Sequence, residues 1–111
     1  DKPRTTINSP PTVQIRVPET GSEYPYGTEV SFTGLVNDLD QGPDTLELLW
    51  NSDSDGPLGQ EPADGSGNAA LVISTLSEGQ HVITLTAIDE ENSSGNAWIQ
   101  IGITEPEDTG L

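Results

Sequence analysis

The chain is expected to fold as an all-β sandwich of seven short strands, and three observations point there. Its apolar residues fall in short runs that alternate with polar ones, the period of a strand with one buried face. Twelve Gly and nine Pro punctuate those runs. Only 31% of the residues are apolar, with two Trp, two Tyr and one Phe among them. Val, Ile and Leu must therefore build the core, and they suit pleated surfaces. At 111 residues the chain is one domain, long enough for a two-layer core with little to spare.

Residues 1–11 are polar and end in Asn8-Ser9-Pro10-Pro11, a stiff arm or linker. Thr12 to Val17 alternates, with Val13, Ile15 and Val17 on one face, until Pro18 stops it. The stretch 19–27 reads as a loop holding Tyr24 and Tyr26. Glu29 to Asn37 alternates through Val30 and Phe32, then slips phase at Gly34-Leu35-Val36, which suggests a bulge at Gly34. An acidic loop, Asn37 to Asp44, leads to the strand Leu46 to Asn51, where Leu46, Leu48 and Trp50 share a face. The stretch 57–67 is loop-like, with room for one short edge strand. Ala69 to Thr75 is a strand and Leu76 to Gly79 a turn. His81 to Asp89 carries the strongest strand signal, with His81, Ile83, Leu85, Ala87 and Asp89 on one face. Ala97 to Ile103 closes the fold, so the sandwich spans 12–104 and leaves a polar tail at 105–111. No segment has a helical period to compete.

Nineteen acids face three bases, Lys2, Arg4 and Arg16, a net charge of −16. Such a field repels phosphate backbones and anionic lipid, which argues against nucleic-acid partners. It attracts hard cations, Ca²⁺ above all. Most of the acids are read as a solvated coat. No apolar run nears the roughly 18 residues of a spanning helix, so membrane insertion is not expected. Cysteine is absent, which removes disulfides, thiolate nucleophiles and Cys-zinc sites. Asp1 opens the chain without an initiator Met, as in a processed protein or an excised module.

The segments NSPPTVQI, YGTEVSFTGLVND, LLWNSDSDGPLG, LSEGQHVITLTAIDEENSSG and IQIGI follow one another in an order that resembles a bacterial or archaeal Ig-like domain. More narrowly the chain is similar to the polycystic-kidney-disease (PKD) type, over about Asn8 to Ile103. Gly79 to Asp89 is the most specific part. It departs from the family where the usual Trp-Asp-Phe-Gly-Asp-Gly is replaced by Trp50-Asn51-Ser52-Asp53-Ser54-Asp55-Gly56. The resemblance implies a seven-stranded Ig-like, PKD-like sandwich. It also implies an extracellular or cell-surface module that spaces, adheres or accompanies a secreted hydrolase. Several such domains bind Ca²⁺ near their N-terminal pole.

Two acidic constellations are candidate metal sites. Asn51, Asp53, Asp55 and Gly56 match the start of an EF-hand loop, but its terminal acid should fall on Pro62 and no helix flanks it; a turn is the better reading. In an Ig-type sandwich the loops after the second strand and before the last meet beside the chain's entry. That would gather Asn8, Asp38, Asp40 and Asp89, with Glu91 nearby, into the mixed oxygen set that Ca²⁺ prefers. Ca²⁺ is thus the candidate cofactor; the alternative is a set of solvated loop acids with Asp89 capping a turn.

His81 is expected half-buried beside the 76–79 turn, and no Ser or Cys nucleophile motif surrounds it, so no catalytic residue is assigned. Trp98 lies on the outward phase of the last strand. It either packs under a neighbour or stands exposed to meet a sugar or a protein. Asn92-Ser93-Ser94 is a formal glycosylation acceptor. The function expected is a non-enzymatic extracellular module. It would be one unit of a tandem array, surface protein or filament, partnered by neighbouring copies or domains. The alternative is an accessory carbohydrate- or protein-binding module of a secreted hydrolase, which would show an aromatic strip drawn from Trp98, Tyr24 and Tyr26.

Overall fold

The alternating runs pair into two packed sheets in the computed structural model, which describes residues 10–105. The strands are β1 (Thr12–Val17), β2 (Glu23–Pro25), β3 (Val30–Asn37), β4 (Glu47–Ser52), β5 (Gly56–Gly59), β6 (Asn68–Ile73), β7 (Gly79–Ile88) and β8 (Ser94–Thr104). A single 3-10 turn sits at Pro43–Thr45. One sheet has the order β1-β3-β6 and the other β2-β8-β7-β4-β5. Every pairing is antiparallel except that of β2 with the end of β8. Among the described residues no helix is long and apolar enough to cross a membrane.

Among the described residues eight strands form where seven were expected. The extra one, β2, lies in the 19–27 stretch read as a loop. Three residues ending in Pro are too few to show alternation, and pairing to Gly102, Ile103 and Thr104 makes them a strand. The short edge strand, β5, begins at Gly56, inside the stretch read as a turn.

The bulge expected at Gly34 is elsewhere. Strand β3 stays in phase, burying Val30, Phe32, Gly34 and Val36, and pairs continuously with β6. The register shift falls on β1, between Ile15 and Val17. Gly34 faces inward because the core needs its space: a Cβ there would lie 2.8 Å from Leu85 Cδ2 and 2.9 Å from the Gln14 carbonyl oxygen. Leu85 occupies the room so left, and Trp50 lies beside it, completely buried and tilted against Phe32 with ring centroids 5.7 Å apart. Its Nε1 has no hydrogen-bond partner, a cost accepted for the apolar area buried. Ile83, Leu85, Ala87 and Ile101 complete the centre.

Acidic residues are kept off the sheets. Among the described strands only Glu23 and Glu47 are acidic, both at strand starts. The remaining described acids lie in the connections, so the negative field is concentrated at the two ends of the sandwich.

Candidate functional site

The chain enters at one end of the sandwich, where Thr12 pairs with Asn37 and Glu47 with Ile88. Gly95 admits the Pro11 backbone so closely that a Cβ would collide with its carbonyl. The loop after β3 and the loop after β7 meet here, tied by the Glu90 N–H donating to Gln41 Oε1 at 3.0 Å. Asp89 is 5% exposed; its Oδ1 accepts the N–H groups of Glu91 and Ser93 at 2.9 Å each and closes the turn into β8. Asn92 sits in that turn at φ 67, a local backbone role Asn fills readily. Asp38 is 6% exposed. Its Oδ1 accepts the Asp40 N–H at 2.7 Å, while Oδ2 is buried without a hydrogen-bond partner.

Thus Asp38 and Asp89 are buried at the pole where they were expected, and Asp40 is exposed beside them. Asn8 lies outside the described residues. No three His, Asp or Glu side chains gather closely enough to hold a metal among the described residues. A cation here would therefore rest on two buried carboxylates completed by neutral oxygens, a set Ca²⁺ accepts.

The opposite pole contains what resembles a serine-histidine-aspartate constellation. His81 is completely buried, not half-buried. Its Nε2 lies 2.7 Å from the Ser77 carbonyl oxygen, which can only accept, so Nε2 carries the hydrogen. In that tautomer Nδ1 accepts the Ser52 hydroxyl at 2.7 Å. Ser52 Oγ in turn accepts the N–H groups of Ser54 and Asp55, each at 3.1 Å. Asp55 accepts the Ser77 N–H at 2.9 Å and the Ser77 hydroxyl at 2.7 Å. Asp55 Oδ2 is 4.0 Å from the same Nδ1 that Ser52 uses. Catalysis would need the hydroxyl and the carboxylate on opposite ring nitrogens and an accessible nucleophile. Ser52 is 1% exposed with both lone pairs engaged, so this network is a strut between the β4–β5 hairpin and the 76–79 turn.

Burial works to raise the pKa of Asp55. The two Ser77 hydrogen bonds, with a smaller pull from His81 when charged, outweigh it and hold the carboxyl below the usual range. Asp53 is also engaged with the backbone, its Oδ1 accepting the Val82 N–H at 2.8 Å. The EF-hand-like stretch is a hairpin turn whose carboxylates point to different partners.

Neither Ser52 nor Ser77 stands out in the sequence. A lone His on a strand's buried face required partners, but they lie 29 and 4 residues away and no spacing announces them.

The outer face of the five-stranded sheet is the third feature. Trp98 is 61% exposed on it. Tyr24 packs half-buried against the core, and the exposed Tyr26 donates its N–H to Thr104, roughly 20 Å along β8 from Trp98. The expected aromatic strip reduces to Trp98.

Neither a protein-family model nor a characterised protein sequence matches the chain. Solved structures do match. Fibronectin(III)-like modules of CbhA from Clostridium thermocellum superpose with TM-score 0.69 at 17% identity, over 96% of this chain and 54% of that one. The chain therefore spans about half the length of that structure. The PKD domain of an M14-like peptidase from Thermoplasmatales archaeon SCGC AB-540-F20 matches with TM-score 0.64 at 19% identity, over 91% of this chain and 100% of that one. The PKD domain of human KIAA0319 gives 0.54 at 18% identity, over 100% and 96%. The fold is a PKD-like, Ig-type β-sandwich.

Proposed function

We propose that the chain is a non-enzymatic extracellular module that spaces or joins neighbouring domains or copies, and that Ca²⁺ stiffens its entry pole. One observation carries this reading: the unpartnered Asp38 Oδ2, buried beside the point where the chain enters the sandwich. A buried carboxylate oxygen without a partner is costly, and a cation removes that cost. Asp38 and Asp89 would supply charge, and Asn8 with backbone carbonyls the neutral oxygens. Such an ion would pin the arm 1–11 to the loops after β3 and β7. The joint would thereby be stiffened, as a repeating surface array or filament requires.

The test is thermal unfolding in Ca²⁺ and in EDTA. Ca²⁺ at about 100 times its dissociation constant should add roughly 2.7 kcal/mol to stability, since it binds only the folded state. An unchanged midpoint sinks the metal site.

A second reading, the accessory module of a secreted hydrolase, is favoured by the exposure of Trp98. It accords with the fold being shared by the PKD domain of a peptidase.

A further inference from the structure

In a chain of net charge −16, the middle of the outer face of the five-stranded sheet carries no charged side chain. Cross-strand pairing sets out its rows. Trp98 lies opposite Thr84, and Thr84 opposite Asn51; the neighbouring row is Asn96, Thr86 and Leu49. Along β8, Asn96 and Gln100 share the face of Trp98, each about 7 Å away. The acids nearest the face stand at its margins: Glu47 where β4 begins, Glu23 beside Gly102 on the β2 edge, and Asp53, whose carboxylate is held by the Val82 N–H.

We infer that this face binds an internal segment of a neutral polysaccharide, with one sugar ring stacked on Trp98. The inference rests on the second reading, that the module meets a ligand directly, and not on the Ca²⁺ site. An exposed indole offers a flat, electron-rich face that suits the C–H-lined side of a pyranose. Sugar hydroxyls at the ring's rim need partners that both donate and accept, and the amides of Asn51, Asn96 and Gln100 do both, as does the Thr84 hydroxyl. Gln100 is already oriented, its Nε2 donating to Gln80 Oε1 at 3.3 Å. Trp98 and Asn51 stand two inter-strand spacings apart, about 10 Å, a span comparable with a disaccharide. Strand β2 flanks β8 only at Gly102–Thr104, so no strand walls the platform beside Trp98 and a long polymer can run across it. Charge decides the class of polymer. The acidic loops at both ends repel a polyanion, whereas a neutral chain meets no such barrier.

The experiment is affinity electrophoresis in EDTA through gels containing hydroxyethylcellulose, xylan, galactomannan or alginate, with pull-down on insoluble cellulose and chitin. Working in EDTA keeps the result independent of any metal. At least one neutral polysaccharide should retard the wild type and alginate should not. Trp98→Ala, with an unchanged circular dichroism spectrum and thermal midpoint, should weaken retention roughly tenfold or more. Trp98→Phe should recover part of it and Asn51→Ala should lose a smaller part. The inference is overturned if no neutral polysaccharide retards the wild type, if alginate retards it equally, or if Trp98→Ala binds as well. Sedimentation showing a dimer that Trp98→Ala splits would overturn it too, by assigning the face to a second copy.

Discussion

The two poles of the sandwich use the same chemistry to different ends. Each has a buried acceptor-rich cluster where strand ends and the loops beside them meet. At the pole of Ser52 and His81 the accounts close: hydroxyl, both ring nitrogens and the Asp55 carboxylate all have partners within the chain. At the entry pole they do not, because Asp38 Oδ2 is buried, as Asp89 is, yet meets no donor. A polar cluster that satisfies itself serves the fold, whatever triad it resembles. One that leaves a charge-bearing oxygen over points to something outside the chain.

The largest test of that contrast is at the closed pole. His81→Ala should cost about 3 kcal/mol, from the cavity it leaves and from the Ser77 carbonyl and Ser52 hydroxyl it strands. Urea unfolding followed by the fluorescence of buried Trp50 measures it. A loss below about 1 kcal/mol would show that the strut carries no weight.

At the open pole the corresponding change should behave in the opposite way. Asp38→Asn replaces the carboxyl by an amide of the same shape that cannot serve as a charged metal ligand, so in EDTA stability should hold steady or rise. In Ca²⁺ the variant should lose the roughly 2.7 kcal/mol that the ion confers at about 100 times its dissociation constant. If Asp38→Asn instead destabilises the apo protein by as much as His81→Ala does, Asp38 is a structural group and the two poles are alike.

How much of this was legible in the sequence varies with the range of the forces involved. Strands β1, β3, β7 and β8 declared themselves, because a strand with one wet face writes its period into consecutive residues. Strand β2 did not, and β5 was legible only as room for a short edge strand in 57–67, since three or four residues held by a neighbour need no pattern of their own. Gly34 misled because its neighbours Leu35 and Val36 are both apolar. What decides its phase is a methyl of Leu85 and the carbonyl oxygen of Gln14, residues distant in sequence. The acids at the entry pole could be placed by topology once a sandwich was assumed. Which carboxylate oxygen stays unpartnered could not, being a matter of single hydrogen bonds. The same holds for Ser52 and Ser77: their importance exists only once His81 is folded between them.

The smallest effect separates the poles by acid. Asp55 is held below the usual carboxylate range in the fold, so its folded value lies below its unfolded one, near pH 4. The linkage then has one sign: its contribution is fully present above about pH 4 and is lost as pH falls through the folded value. Asp55→Asn should therefore lower the thermal midpoint by a few degrees at neutral pH. The difference from wild type should close as the solution is acidified past that window. Asp64 stands in an exposed turn, held low by the Asn68 N–H first and then by the Asn68 amide and the Ser66 N–H. It titrates with the same sign, so Asp64→Asn is the control for a carboxylate that serves only its own turn. Should Asp64→Asn flatten the acid limb as much as Asp55→Asn does, local turns explain the pH dependence. The linkage between the β4–β5 hairpin and Ser77 would then contribute nothing of its own.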